Sequence, residues 1–194
     1  MSRRFLRFGL TLSAALVVAS ALVVSAQQGL RAKATLAGDG ITGTVELREV
    51  DAQTAGAHDM TFMTGMKAVE ITVTVTGLKP GPHGMHLHAI GKCEAPAFTA
   101  AGGHFDPGPA GNMDPDMNHP FHMGDLPNLV ADANGKATLK TVTTRVTLSD
   151  GPLSVFDADG TAIIIHANAD QGVTGEAKSG VAGGARVACG VIAK

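Results

Sequence analysis

Two stretches of the chain alternate apolar and polar residues with period two: Gly43–Val50 (GTVELREV) and Val69–Thr76 (VEITVTVT). Successive side chains of an extended strand point to opposite faces, so this alternation predicts strands with one face buried and one in water. Met85–Ala89, Lys136–Leu148, Thr161–His166 and Arg186–Ile192 read as further strands. Turn-forming residues sit where hairpins need them, at Gly38-Asp39-Gly40, Lys79-Pro80-Gly81-Pro82, Ala133-Asn134-Gly135 and Asp157-Ala158-Asp159-Gly160. No segment carries a convincing helical period, and no repeat recurs at a fixed spacing. Asp51–Gly65 is a polar connection. Two segments resist strand assignment: Gly91–Leu129, full of Gly, Pro and His, and Ala167–Ala185, full of Gly. Loops of that length inside a compact domain are normally functional. The pattern predicts an all-β barrel or sandwich carrying two long functional loops.

The N-terminus follows a different rule. Met1–Arg7 is basic, Leu10–Val24 is an apolar run, and Val24-Ser25-Ala26 offers small residues before Gln27. This is the layout of a secretory signal peptide, so residues 1–26 are expected to be an address and 27–194 a single domain. The apolar run is shorter than the roughly 20 residues of a spanning helix, and no stable membrane span is expected once it is cleaved; an uncleaved anchor is the other reading. The paired arginines Arg3 and Arg4 before Phe5-Leu6 leave both the general secretory and the twin-arginine routes open. Export predicts a periplasmic or extracellular location. There, the chain's two cysteines, Cys93 and Cys189, are most simply a disulfide, because an oxidising compartment preserves one and their wide separation suits no zinc motif.

Charge and composition exclude a class of partner. The chain carries a formal charge of −2, and the part after the signal is more acidic because Arg3, Arg4 and Arg7 all lie in the leader. With no basic excess, and no Trp or Tyr for bases to stack on, nucleic acid is not an expected partner.

The histidines change the picture most. Of eight, six (His83, His86, His88, His104, His119 and His122) fall within 40 residues; His58 and His166 lie outside that window. His86 and His88 are two apart on a strand, so their rings share a face, while His83 is offset by an odd number and should point the other way. His122 is followed three residues later by Asp125. Neutral imidazole suits copper and zinc, and an added carboxylate favours zinc.

Gly81-Pro-His-Gly-Met-His-Leu-His88 resembles the signature of copper/zinc superoxide dismutases. The resemblance continues through Gly102-Gly-His-Phe-Asp-Pro107, His122-Met-Gly-Asp-Leu-Pro127, His166-Ala-Asn-Ala-Asp170 and Gly184-Ala-Arg-Val-Ala-Cys-Gly-Val191. It implies an eight-stranded Greek-key barrel that converts superoxide to O2 and hydrogen peroxide by copper redox cycling. It also implies copper ligands His86, His88, His104 and His166, with His104 bridging to zinc. His122 and Asp125 match zinc ligands, and Asp170 the acid linking the two sites. Arg186 matches the arginine that draws the superoxide anion in. Cys93 and Cys189 match the family disulfide, and His83 a histidine that is structural there. The bridging His104 and Arg186 are the expected catalytic pair.

One zinc ligand is out of place. The family pattern puts a histidine eight or nine residues after the bridging one, where this chain has Asn112 and Met113. We expect His119 to take over, giving His104, His119, His122 and Asp125 around zinc, with Asp114 and Asp116 as weaker substitutes. A degraded zinc site is the rival, and with it a second reading of function: a non-catalytic or copper-only metal-binding, copper-buffering protein on the same barrel. A purely structural domain that kept the fold is a third reading, which the four copper ligands and Arg186 oppose. Met60, Met63 and Met66, after His58, suggest either a Cu(I) docking loop or apolar fillers. Glu176 and Lys178 lie in the second loop, where they shape the field without a catalytic assignment. Oligomeric state, including a homodimer, is open.

Overall fold

The structure is a computed structural model that describes residues 29–55, 65–108 and 113–194. Eight strands form one antiparallel sheet: β1 (Arg31–Gly38), β2 (Thr42–Asp51), β3 (Lys67–Thr76), β4 (Gly81–His88), β5 (Asp125–Ala131), β6 (Ala137–Thr143), β7 (Ala162–His166) and β8 (Arg186–Val191). Their spatial order is β5-β4-β7-β8-β1-β2-β3-β6, and the two end strands, β5 and β6, approach each other, so the sheet nearly closes into a barrel. The jump from β3 to β6 and from β4 to β7 is the Greek-key crossing. It brings β4, β5, β7 and β8 together on one side and leaves the long connections after β4 and β7 on that side too. The described residues contain only short 3-10 turns beside the strands, at Ala52–Ala55 and Thr99–Ala101.

The expected strands are present with three differences. β1 was not expected, because its inward positions are Ala32, Ala34 and Leu36, two of them too small to mark a strand. β5 lies inside the stretch expected to be irregular. It contains Pro127, which an edge strand tolerates because no ladder bond is lost there. The strand expected over Lys136–Leu148 ends at Thr143: the Thr143 side chain accepts the Arg145 amide, and the Arg145 guanidinium reaches the carbonyls of Pro120 and His122. His58, Met60 and Met63, and residues 1–28 with the expected signal, lie outside the described residues; Met66 is exposed just before β3.

The interior is filled by Val45, Leu47, Ile71, Val73, Met85, Leu87, Leu129, Ile163 and Ile165 with their neighbours. Glu49 continues the inward row of Val45 and Leu47, which puts a carboxylate in the barrel end. It is satisfied there: Oε2 accepts the Leu148 and Ser149 amides at 2.6 and 2.8 Å and the Ser149 hydroxyl at 3.1 Å. A second, smaller apolar cluster of Phe98, Ala101, Ala162, Ile164 and Cys189 lies on the outer face of β7 and β8. The Cys93–Cys189 disulfide clamps the loop after β4 onto it. No helix among the described residues is long and apolar enough to cross a membrane.

Candidate metal centre

β4 presents two rings on the outer face of the barrel. His86 pairs with Ile164 and His88 with Ala162, the β7 residues of the outer cluster, while Met85 and Leu87 face inward. The loop after β4 returns alongside the strand: His104 bridges to His88, and the Phe105 amide bonds to the Leu87 carbonyl. His166 closes β7, where the register with β8 shifts and pairs it with Arg186. His86, His88, His104 and His166 are all buried, and each has a donor atom within 4.8 Å of the other three. That is near the roughly 4.2 Å separating two nitrogens on opposite sides of one ion.

Each ring is turned by a partner at its other nitrogen. His88 Nδ1 donates to the Gly102 carbonyl at 3.1 Å and His166 Nδ1 to the Gly184 carbonyl at 2.8 Å. His86 Nε2 donates to Asp170 at 2.8 Å. What remains is His86 Nδ1, His88 Nε2, His104 Nε2 and His166 Nε2, all buried without a hydrogen-bond partner. Leaving one such atom unpaired costs about 1–3 kcal/mol, so four at one point fit a soft-to-borderline cation that supplies the missing partner. The residues present therefore fit copper.

A second cluster adjoins the first. The Asp125 carboxylate meets His104 Nδ1 at 2.8 Å, His122 Nδ1 at 3.1 Å and His119 Nδ1 at 3.2 Å. His86, His104, His119 and Asp125 form the tighter grouping, with donor atoms within 4.8 Å, and His122 joins through Asp125. His119 Nε2 donates to the other Asp170 oxygen at 2.6 Å. One carboxylate thus orients a ring of each cluster, and His104 belongs to both. Three imidazoles and a carboxylate, buried, fit zinc. Asp116 is not part of this cluster, and its carboxylate is taken up by the Gly180 and Ala182 amides. Asp114 accepts the amides of Asp116 and Met117 and shapes that turn. His83, as expected, stands apart, its ring spanning the carbonyls of His166 and Lys79 at 2.7 and 2.8 Å.

Two supporting residues act behind the clusters, Asn128 with no sequence signal and Gly84 inside the Gly81–His88 motif. Asn128 on β5 makes paired bonds to the Asp170 backbone, 2.8 and 2.9 Å, and fixes where its carboxylate stands. Gly84 lies so close to Asp170, Ala182 and the His86 ring that an added Cβ would come within 3.1–3.3 Å of all three. Arg186, half-buried, donates to the Phe98 and Gly102 carbonyls at 2.7 and 2.6 Å. The Gly102 oxygen is thus shared by Arg186 and His88. Arg186 and His166 both line a cleft of about 690 Å3 walled by Pro96, Thr99, Lys178 and Gly184.

Residues 41–192 match the family model described as copper/zinc superoxide dismutase (SODC). The chain belongs to the copper/zinc superoxide dismutase family. It is 37% identical over 156 residues to a Cu-Zn superoxide dismutase of Caulobacter vibrioides, covering 78% of this chain and 85% of that protein. A Cu-Zn superoxide dismutase of Deinococcus radiodurans is 39% identical over 68% of this chain and 74% of its own. Among solved structures, a SOD-like protein from Bacillus subtilis superposes with a TM-score of 0.61 at 30% identity, covering 82% of this chain and 96% of that one. As a copper/zinc superoxide dismutase, the protein is an oxidoreductase whose substrate is superoxide and whose cofactors are copper and zinc.

The protonation states follow the same geometry. Burial, with neighbouring charged rings, presses His166 down to about 3 and His104 down to about 4, and pushes His88 well below its ordinary 6.5. Burial also pulls on His119, but the Asp125 and Asp170 carboxylates override it and raise that ring to about 9. Burial would raise Asp125 and Asp170, yet the histidines around them hold both well below the usual carboxylate range. A base depressed on folding is protonated first in the unfolded chain, so its stabilisation is complete above pH 6.5 and is lost as pH falls towards 3–4. His119 runs the other way, stabilising below 6.5 and fading as pH rises through 9. The metal-free chain is therefore expected to be most stable near pH 6.5, to weaken as pH rises towards 9 because His119 loses its proton, and to lose on the order of several kcal/mol by pH 4. Urea midpoints of the metal-free protein measured across that range check this; a flat profile down to pH 4 contradicts it.

Proposed function

We propose that copper is held by His86, His88, His104 and His166, and zinc by His104, His119, His122 and Asp125. The observation carrying the first set is the convergence of four buried, partnerless imidazole nitrogens. Supporting the second is Asp125, which draws three Nδ1 atoms to one carboxylate. Bound at the first set, copper supplies the one-electron oxidation and reduction that turn two superoxide anions into O2 and hydrogen peroxide.

The chain's own residues do the rest. Asp170 fixes the tautomers of His86 and His119 by taking a hydrogen bond from each Nε2, which turns both Nδ1 lone pairs towards the metals. His104, shared by the two sets, is the ring whose Nε2 holds a proton between the two half-reactions. Arg186 brings a fixed positive charge to a cleft it shares with His166, in a protein whose net charge is negative. Its guanidinium is aimed by the two carbonyls it bonds, so it attracts an anion without moving.

The test is superoxide decay with the chain from Gln27 onward, loaded with copper and zinc. Fast, copper-dependent decay that slows with salt is expected, and Arg186→Ala should lower kcat/KM by about tenfold and flatten the salt dependence. Tight copper binding with decay no faster than free solution would instead favour a copper carrier on this barrel.

Residues 1–26 are proposed to be a cleaved export signal, which delivers the domain 27–194 to an oxidising periplasmic or extracellular space. The disulfide supports this, since such bonds persist there. The intact mass of the secreted chain should begin at Gln27, and a mass including Met1–Ala26 would make the segment an anchor.

A further inference from the structure

Between Asp114 and His119 the metal loop does something that neither metal set uses. Asp116 is buried, 5% exposed, and its side chain is spent entirely on the second loop: Oδ2 accepts the Gly180 amide at 2.9 Å and Oδ1 the Ala182 amide at 3.0 Å. Its own carbonyl accepts the Gly175 amide at 2.8 Å. One residue therefore ties down both ends of the Gly175–Ala182 turn. That turn carries Lys178, which reaches the wall of the Arg186 cleft with a left-handed backbone, φ 64°. From Ala182 the chain runs directly into the working residues. Ala182 bridges to Asp170, Gly184 supplies the carbonyl that orients His166, and Arg186 follows two residues later. Gly183 has no room to adjust, since a Cβ there would come within 2.8 Å of His166 Cβ and 2.9 Å of the Asn168 carbonyl oxygen.

We propose that Asp116 is a positioning residue for the dismutation: it holds the segment from Gly180 to Arg186, and the Lys178 turn, against the metal loop independently of the zinc ligands. Other links run through His119, by way of Asp170 and of the Thr174 hydroxyl on its carbonyl, and at the far end of the segment Arg186 bonds the Phe98 and Gly102 carbonyls. The first two depend on His119 being in place. The Asp116 clamp contains no metal-binding residue, and a buried carboxylate accepting two backbone amides is a charge-assisted contact that persists without an ion. The cleft should thus keep its shape when zinc is absent.

The inference rests on the ligand assignment above only for the meaning of its activity arm, so it is tested by two readouts. The first is amide hydrogen exchange at Gly180 and Ala182 in the copper-loaded, zinc-free protein. Wild type should stay protected, and Asp116→Ala should exchange at least about 100-fold faster there, while β7 amides are unchanged. The second is kcat/KM against ionic strength with both metals bound. Asp116→Ala should lose about tenfold and show a flatter salt dependence at equal copper content. Asp116→Asn, which can still accept one amide but not two, should fall between and covers the case in which the alanine variant folds poorly. A merely structural role would lower the melting temperature and leave the salt dependence intact, and that result overturns the proposal. Unchanged exchange at Gly180 and Ala182 also overturns it. Failure of the ligand assignment would show instead as wild-type protein that binds copper without turnover, with the exchange arm still readable.

Discussion

His119→Ala is expected to strip zinc from the protein and leave copper bound. His119 is the one ring of the second cluster that the family pattern does not place, and it is held from both sides: Nε2 on Asp170 at 2.6 Å, Nδ1 beside Asp125 at 3.2 Å. Alanine removes a ligand and leaves two buried carboxylates each short of a partner. Losing a hydrogen-bonded support of a metal ligand costs about 10–100-fold in affinity, and losing the ligand itself should exceed that. Copper should remain because none of its four rings is touched and His86 keeps Asp170. Metal content by mass spectrometry after dialysis, with the copper spectrum as control, decides it. Zinc retained at one equivalent in His119→Ala would return the vacancy in the pattern to another residue.

The second large effect is expected from removing the disulfide. Cys93 and Cys189 are 96 positions apart, and a link closing about 100 residues stabilises by up to ~4.7 kcal/mol through the unfolded chain. The folded side adds to this, because Cys189 packs with Phe98, Ala101, Ala162 and Ile164. The Cys93→Ser, Cys189→Ser double variant should therefore lose about 3–5 kcal/mol in urea. Activity should fall as well, and for a separate reason. Both carbonyls that aim Arg186, at Phe98 and Gly102, lie on the loop the disulfide ties down. A flatter salt dependence at full copper content is the sign of that loosening. A stability loss under about 1 kcal/mol would mean that packing alone holds the loop.

Much of this was legible in the chain. Period-two alternation located β2 and β3, and the His86/His88 spacing put both rings on one face because a strand allows nothing else. The unreadable parts have definite causes. β1 buries alanines, whose small side chains carry little hydrophobic signal although their register is regular. β5 is disguised by Asp125 and Pro127, one there for the metal cluster and the other tolerated at the sheet edge. Glu49 reads as a solvent residue by type, and only its register with Val45 and Leu47 reveals that it faces in. Asn128 and Asp116 act through backbone groups far away in sequence, 42 and 64 or more positions off, and no local pattern encodes such a partner. His119 could be suspected from the gap in the motif, but its link to Asp170 could come only from the fold.

The rear nitrogens of the metal-facing rings have a consequence for how the protein comes to hold its ions. Each ring is aimed by a group that arrives from elsewhere: Gly102 for His88, Gly184 for His166, and Asp170 for both His86 and His119, the last across 84 and 51 positions. A full-length but half-folded chain already possesses every histidine, yet its rings spin freely and offer no shared focus. Grip on the ion appears only when the final strand and both loops have docked. Metal retention is therefore expected to certify completed folding: a chain misassembled at any one of these supports should forfeit its cargo, with no half-built redox centre left loose.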